Sequence, residues 1–190
     1  RLFDRLVAYL PRYAPWASKL GWLLNLRDRL PGVAKLSEMM AGFSAERTLP
    51  RWSLVPFRTD GVQPTQETGP EVVLWADTFS TWFDPENARA AWAVLRAAGY
   101  RVTLAKATQG GRPLCCGRTF LAAGLVDEAR EEAQRTLAAL MPMVERGVPV
   151  IGLEPSCLLT LRDEFKVLLP GEAADRLAEN AALFEEFIAN

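Results

Sequence analysis

The chain has 190 residues, 49% of them hydrophobic and 24% charged, a composition that suits one folded unit, or one unit with a helical appendage, and excludes a disordered tail or a disulfide mini-protein. It contains no histidine, which removes Ser/His and Cys/His catalysis and every histidine-based metal site at once and leaves cysteine, carboxylate, lysine and hydroxyl chemistry. Lys+Arg 22 against Asp+Glu 23 gives a net charge of -1, without the basic excess of a nucleic-acid-binding protein, and three cysteines cannot form a complete disulfide framework.

Residues 1–50 read as a helical segment. Leu2, Leu6, Tyr9 and Leu10 are spaced by threes and fours, Trp16, Leu20, Leu23 and Leu24 repeat the pattern, and Pro11, Pro15, Pro31 and Pro50 divide it into short pieces. Eight basic residues (Arg1, Arg5, Arg12, Lys19, Arg27, Arg29, Lys35, Arg47) against four acidic ones (Asp4, Asp28, Glu38, Glu46) give this segment a local charge of +4, and the remainder carries -5. Two readings follow: a basic amphipathic surface held on a membrane, or helices packed on a neighbouring domain. No apolar run reaches the roughly 18 to 20 residues needed to cross a bilayer. The chain starts at Arg1 without a signal-peptide pattern, so it is expected to be a piece of something longer.

Residues 51–70 have the composition of a linker, with Pro56, Pro64, Pro70, Gly61 and Gly69 and a polar run through Asp60, Gln63, Thr65, Gln66 and Glu67. From Glu71 the pattern alternates strand and helix. The run from Glu71 to Ala76 suits a strand buried on both faces. Asp84 is placed to cap the next helix, Pro85 fits its first position, Gly99 its end, and Ala88, Ala91, Trp92 and Leu95 its apolar stripe. Residues 101–104 make a second strand and complete a βαβ unit. After the glycine-rich loop at 109–113 and Cys115-Cys116-Gly117, a helix is predicted from about Val126 to about Leu140, with a solvated Glu/Arg-rich face, to be ended or kinked by Pro142. Residues 149–152 form a third strand, Ser156 can cap the helix after it, and a last amphipathic helix is predicted over Glu172–Ile188. The fold class is α/β, a small parallel sheet with flanking helices over residues 71–190, preceded by a helical segment.

Binding crevices of open parallel sheets form beyond the carboxyl ends of the strands. Asp77, after the first strand, and Glu154 and Cys157, after the third, should project there, and Cys157 at a helix start gains from the free N–H groups and partial positive charge of that end. A free cysteine is often simply a small buried residue, but an adjacent pair followed by glycine, with a third at another strand end, points to ligands or nucleophiles. Arg112 and Arg118 flank the pair, to offset thiolate charge, bind an anion, or pair with Glu128 or Glu154. Trp82 and Phe83 can dock a partner or pack locally.

Asp77-Thr78-Phe79 with Phe83-Asp84-Pro85-Glu86, Cys115-Cys116-Gly117-Arg118, Gly147-Val148-Pro149-Val150 and Glu154-Pro155-Ser156-Cys157 follow one another in an order that resembles the cysteine-rich CCG domain. That Rossmann-like domain occurs in heterodisulfide reductase, in the iron-sulfur components of anaerobic glycerol-3-phosphate dehydrogenase and glycolate oxidase, and in lactate-utilisation proteins. The likeness extends to the C-terminal part of FAD-linked oxidases fused to iron-sulfur modules, of the D-lactate or 2-hydroxyacid dehydrogenase type. The resemblance implies a 4Fe-4S cluster held by cysteines, here Cys115, Cys116 and Cys157, with Asp77 and Glu154 standing where two further cysteines belong. The gaps from Asp77 to Cys115 and from Cys116 to Glu154 are both 37 residues. Carboxylates are harder and weaker partners for iron-sulfur clusters than thiolates. The same resemblance implies FAD on another part of the protein, upstream flavin and ferredoxin-like domains and a second CCG repeat, while either redox reading of the thiols fits a cytoplasmic or cytosol-facing location, with a peripheral place on the inner face of the membrane left open. Three functions stay open from the sequence: an electron-transfer module of a 2-hydroxy acid dehydrogenase, a non-redox assembly domain that keeps the CCG fold, and thiol chemistry through a strained Cys115–Cys116 disulfide.

Overall fold

The computed structural model describes residues 2–58, 68–107 and 112–189. Arg1, Asn190, residues 59–67 of the expected linker, with Asp60, Gln63, Thr65, Gln66 and Glu67, and residues 108–111, with Gln109, Gly110 and Gly111 of the expected glycine-rich loop, lie outside them.

The first segment holds α1 (Leu2–Ala8), α2 (Leu10–Ala17), α3 (Gly21–Leu24) and α4 (Val33–Ala41), with short 3-10 turns before and after α3. Pro11 sits at the start of α2, where its missing N–H costs nothing, whereas α2 runs through Pro15 rather than stopping there. Arg27 is buried and donates to Ser37 Oγ and to the carbonyls of Phe43, Ser44 and Arg47, which ties α4 and the chain after it to the turn. The outer side of the segment leaves Trp16, Leu20, Trp22, Leu23 and Met39 exposed. Among the described residues no helix is long and apolar enough to cross a membrane.

The α/β layer follows as β1 (Glu71–Trp75), α5 (Thr78–Trp82), α6 (Pro85–Ala97), β2 (Arg101–Leu104), α7 (Arg118–Ala122), α8 (Val126–Val144), β3 (Val150–Gly152), α9 (Pro155–Arg162), α10 (Glu164–Leu168), α11 (Glu172–Asn180), β4 (Ala181–Leu183) and α12 (Phe184–Ala189). The strands form one parallel sheet in the order β2-β1-β3-β4. Side chains alternate between faces along β1, so Val73 and Trp75 pack with Val150, Phe120 and Phe165 on one side, and Val72 and Leu74 with Val102, Ile151, Ala88 and Leu95 on the other. Burying Phe120 or Phe165 fully stabilises by about 1.5 to 3 kcal/mol each.

The predicted α/β class and the stripe Ala88, Ala91, Trp92 and Leu95 on α6 are as read from the sequence. Four details differ. The predicted last helix is broken by β4, whose Ala181, Ala182 and Leu183 pair with Val150, Ile151 and Gly152. Without it, the outer edge of β3 would present unpaired backbone groups. α8 continues through Pro142 to Val144, because the carbonyl that Pro142 leaves free belongs to Ala138, which is exposed to water. Asp84 makes no side-chain cap to α6, and Ser156 is not the cap of α9, whose N-cap is Glu154. Finally, the Glu/Arg face of α8 is not fully solvated, since Glu132 is only 1% exposed.

Candidate functional site

β1 has β2 on one side and β3 on the other, so the chain reverses its direction of winding across the sheet between β1 and β3. The crevice of such a sheet lies beyond the carboxyl ends of those two strands. Trp75 and Gly152 are register partners, and Asp77 and Glu154 therefore stand at equal steps past the edge, each the N-cap residue of the helix that follows. Gly152 has a steric role here, because a Cβ on it would meet Leu158 Cδ1 at 2.6 Å; its absence lets α9 descend close to β3.

Asp77 is fully buried and its carboxylate is occupied. Oδ1 accepts from Phe79 N at 2.7 Å and Ser80 N at 3.1 Å, and Oδ2 from Ser80 Oγ at 2.6 Å. Burial pushes its pKa up, the Ser80 and Phe79 donors oppose that, and the nearby charge of Glu154 adds to it. Glu154 accepts from Ser156 Oγ at 2.6 Å. Cys157 is the third residue of α9 and is buried.

The cysteine pair enters from the other side. Gly117, the N-cap of α7, has φ +82, and a Cβ on it would lie 2.9 Å from the carbonyl oxygen of Ala129 on α8. Only glycine fits this turn, which directs Cys115 and Cys116 inward. Cys115 Sγ accepts from Gly117 N at 3.3 Å, and its carbonyl from Thr136 Oγ1 at 2.8 Å. Cys116 and Cys157 lie in one buried cluster, Cys115 is buried beside Cys116 in the chain, and the titration of each thiol is tied to its neighbour, Cys115 to Cys116 and Cys116 to Cys157. For Cys115, the bond to Cys116 and then burial hold the thiol well above its usual range. Cys116 is lowered by Cys115, but the bond to Cys157 and burial outweigh this and leave it well above its usual range. Cys157 is lowered by Cys116, but burial and the charge of Asp77 leave it raised. All three are free thiols. Among the described residues, however, no group of three or more Cys, Asp or Glu side chains is arranged to hold a metal ion. The indole N–H of Trp75, buried in the same cluster as Cys116 and Cys157, finds no acceptor among the described residues.

The flanking arginines make ion pairs with partners other than Glu128 and Glu154. Arg112 reaches Glu131 and Glu132, and Arg118 reaches Glu164. Trp82 is buried locally and Phe83 packs on Trp52 with ring centroids 4.5 Å apart. Sequence reasoning missed Glu132, which accepts from Arg12, Arg112 and Arg135, and whose only sequence signal is an acidic residue one turn from Ala129 and Thr136 on the inward side of α8. It also missed an acidic cleft of about 660 Å³ beside the rim, lined by Ser80, Asp84, Asn87, Glu154, Phe184 and Glu185 among others.

The chain is similar to known dehydrogenase proteins. It is 28% identical over 152 residues to one component of the anaerobic glycerol-3-phosphate dehydrogenase of Escherichia coli K12, covering 77% of this chain and 37% of that protein. It is 24% identical over 200 residues to D-2-hydroxyglutarate dehydrogenase of E. coli K12, covering 100% of this chain and 19% of that protein. With the Pseudomonas putida KT2440 protein of the same name the identity is 28% over 181 residues, 87% of this chain and 16% of that protein. The chain thus spans well under half the length of these relatives. No family model matches it, and no solved structure matches it significantly.

Proposed function

We propose that this chain is the electron-transfer segment of a larger flavin-dependent oxidoreductase that oxidises a 2-hydroxy acid of the D-lactate or glycolate kind, and that it carries a CCG domain with a partly degenerate cluster site. The observation that carries the reading is the burial of Cys116 and Cys157 in one cluster at the carboxyl end of a parallel sheet, with Cys115 buried next to Cys116, in a chain similar to dehydrogenase proteins. The substrates named for those relatives share an oxidisable secondary alcohol.

Donor chemistry supports an iron-sulfur group in part. Thiolates are the ligands such clusters prefer, and Cys116 and Cys157 share one buried cluster with Trp75, whose indole N–H has no acceptor among the described residues and is the kind of donor that stabilises sulfur bearing negative charge. A 4Fe-4S cluster, when bound, takes up and releases single electrons. Cys115, Cys116 and Cys157 are the residues that would hold it. Asp77 is a poor fourth ligand because its oxygens already cap α5. FAD and the substrate pocket belong, in this reading, to other parts of the protein, together with a ferredoxin-like unit and a second CCG repeat. Buried free thiols suit a reducing, cytosolic or cytosol-facing location.

The engagement of Asp77 as a helix cap favours a second reading, in which the domain keeps the fold and holds neighbouring domains without a cluster. Anaerobic reconstitution with iron and sulfide separates the two. The electron-transfer reading expects a brown protein whose broad visible absorption is bleached by a strong reductant and is absent in Cys115→Ser. A colourless wild-type chain would favour the assembly reading.

A further inference from the structure

The N-terminal helices lie across the rim that holds the thiols. α1 packs on α7, which directly follows Cys116-Gly117, and α2 packs on α5, which directly follows Asp77. Ala8, between them, is fully buried in the same cluster as Cys116 and Cys157, and its carbonyl accepts from Thr119 Oγ1 at 2.8 Å. Tyr9 meets Phe120 edge-on at 5.1 Å and donates to Glu128 at 3.0 Å.

The apolar grip of these helices is small. In α1 and α2 the buried residues are Ala8, Pro11 and Ala14, while Leu2, Val7 and Trp16 stay exposed. Helices of seven and eight residues do not hold themselves together in water. Polar contacts therefore carry much of the attachment, and the one that reaches a buried carboxylate, Arg12 to Glu132, also ties in the cysteine loop. Glu132 Oε1 accepts from Arg12 Nε of α2 at 2.9 Å and from Arg112 Nη1, in the loop entering Cys115, at 2.5 Å. Its Oε2 accepts from Arg135 Nη1 at 2.6 Å, and Arg135 Nη2 donates to the Arg112 carbonyl at 2.8 Å. One turn along α8, Thr136 holds the Cys115 carbonyl. Arg12 also lies over the Phe120 ring at 4.8 Å and reaches Glu131 at 3.0 Å.

We propose that α1 and α2 form a lid over the three thiols, that the Arg12–Glu132 pair is its latch, and that release of this pair opens the rim to reagents and cofactor-loading partners while the sheet stays folded. The same carboxylate anchors the lid and the cysteine loop, so opening the latch also loosens the loop. Elements with few buried apolar contacts open locally at lower cost than core strands. The proposal deepens the reading of the thiol rim as a cofactor site by naming what controls access to it.

Native alkylation of the metal-free whole chain with N-ethylmaleimide, counted by mass spectrometry at matched pH, tests the lid. Arg12→Gln removes the latch, Thr119→Val removes the second tie, and Arg176→Gln, whose ion pair with Glu172 is exposed on α11, is the control. Loss of a charge-assisted bond shifts the opening equilibrium by about tenfold or more. Arg12→Gln should label Cys115, Cys116 and Cys157 about tenfold faster than wild type, and Thr119→Val, which loses a neutral hydrogen bond, about two- to tenfold faster, with amide exchange of β1 and β3 unchanged. Labelling rates equal to wild type and control overturn the proposal. So does a rise matched by equally faster exchange of β1 and β3, which would mean global unfolding. No iron enters this experiment, so failure of the cluster reading leaves its outcome intact, and an absent lid leaves the cluster reading intact.

Discussion

Gly117→Ala isolates the physical requirement behind the glycine that follows the cysteine pair. At φ +82 an alanine pays left-handed strain of about 1 to 2 kcal/mol. Its Cβ would also stand 2.9 Å from the Ala129 oxygen and 3.2 Å from the Ala129 Cα, both backbone atoms of α8 that cannot swing aside, and overpacking of this kind costs about 1 to 3 kcal/mol. Gly124→Ala is the matched reference. Gly124 has φ +74 with nothing within 4 Å of its virtual Cβ, so it shares the strain and lacks the clash. Urea unfolding followed by circular dichroism and tryptophan fluorescence should therefore show Gly117→Ala less stable than Gly124→Ala by about 1 to 3 kcal/mol. For a chain of this size that corresponds to a midpoint roughly 2 to 12 °C lower. Equal losses in the two variants would refute the claim that α8 presses on the cysteine turn.

Three other outcomes follow from the same geometry. Asp77→Asn keeps a good cap for α5, whereas Asp77→Ala loses it and should cost about 0.5 to 2 kcal/mol in denaturant titrations at neutral pH. Because burial raises the Asp77 pKa in the fold, its contribution is complete below the ordinary carboxylate range and is lost as pH rises through the folded value; Asp77→Asn should flatten that part of the stability profile, and an unchanged profile contradicts the assignment. The thiols of Cys115 and Cys116 are also raised, so the metal-free fold should lose stability as pH climbs above about 8.5, and Cys116→Ala should reduce that loss. Glu132→Ala leaves three arginines, each only about a quarter exposed, without their shared acceptor and should destabilise by about 2 to 4 kcal/mol in the same unfolding assay, while a loss below about 0.5 kcal/mol would show that the network is not structural.

The parallel sheet was legible because β1 is a compact β-branched and aromatic run, and because Pro85 and Gly99 mark the two ends of α6. β4 was not, since Ala181-Ala182-Leu183 sits inside an apolar pattern that fits a helical period equally well, and only the open edge of β3 selects the extended form. In the rim, the matching positions of Asp77 and Glu154 were legible because each stands two residues past the end of a strand, β1 and β3, and before a helix. What Asp77 does there was not readable. A carboxylate two residues past a strand can face a ligand or turn back onto its own helix, and the Phe79 and Ser80 donors decide for the helix. Glu132 escaped notice because two of its three arginine partners, Arg12 and Arg112, come from distant parts of the chain, and only Arg135 is a neighbour on α8.

The most direct test of the account counts iron and acid-labile sulfide per chain after anaerobic reconstitution and gel filtration, in wild type and in Cys116→Ser and Cys157→Ser. The thiol rim as a cluster site predicts iron and sulfide retained together by the wild-type chain and lost in both variants. A wild-type chain that retains neither, or serine variants that retain as much as wild type, would contradict it.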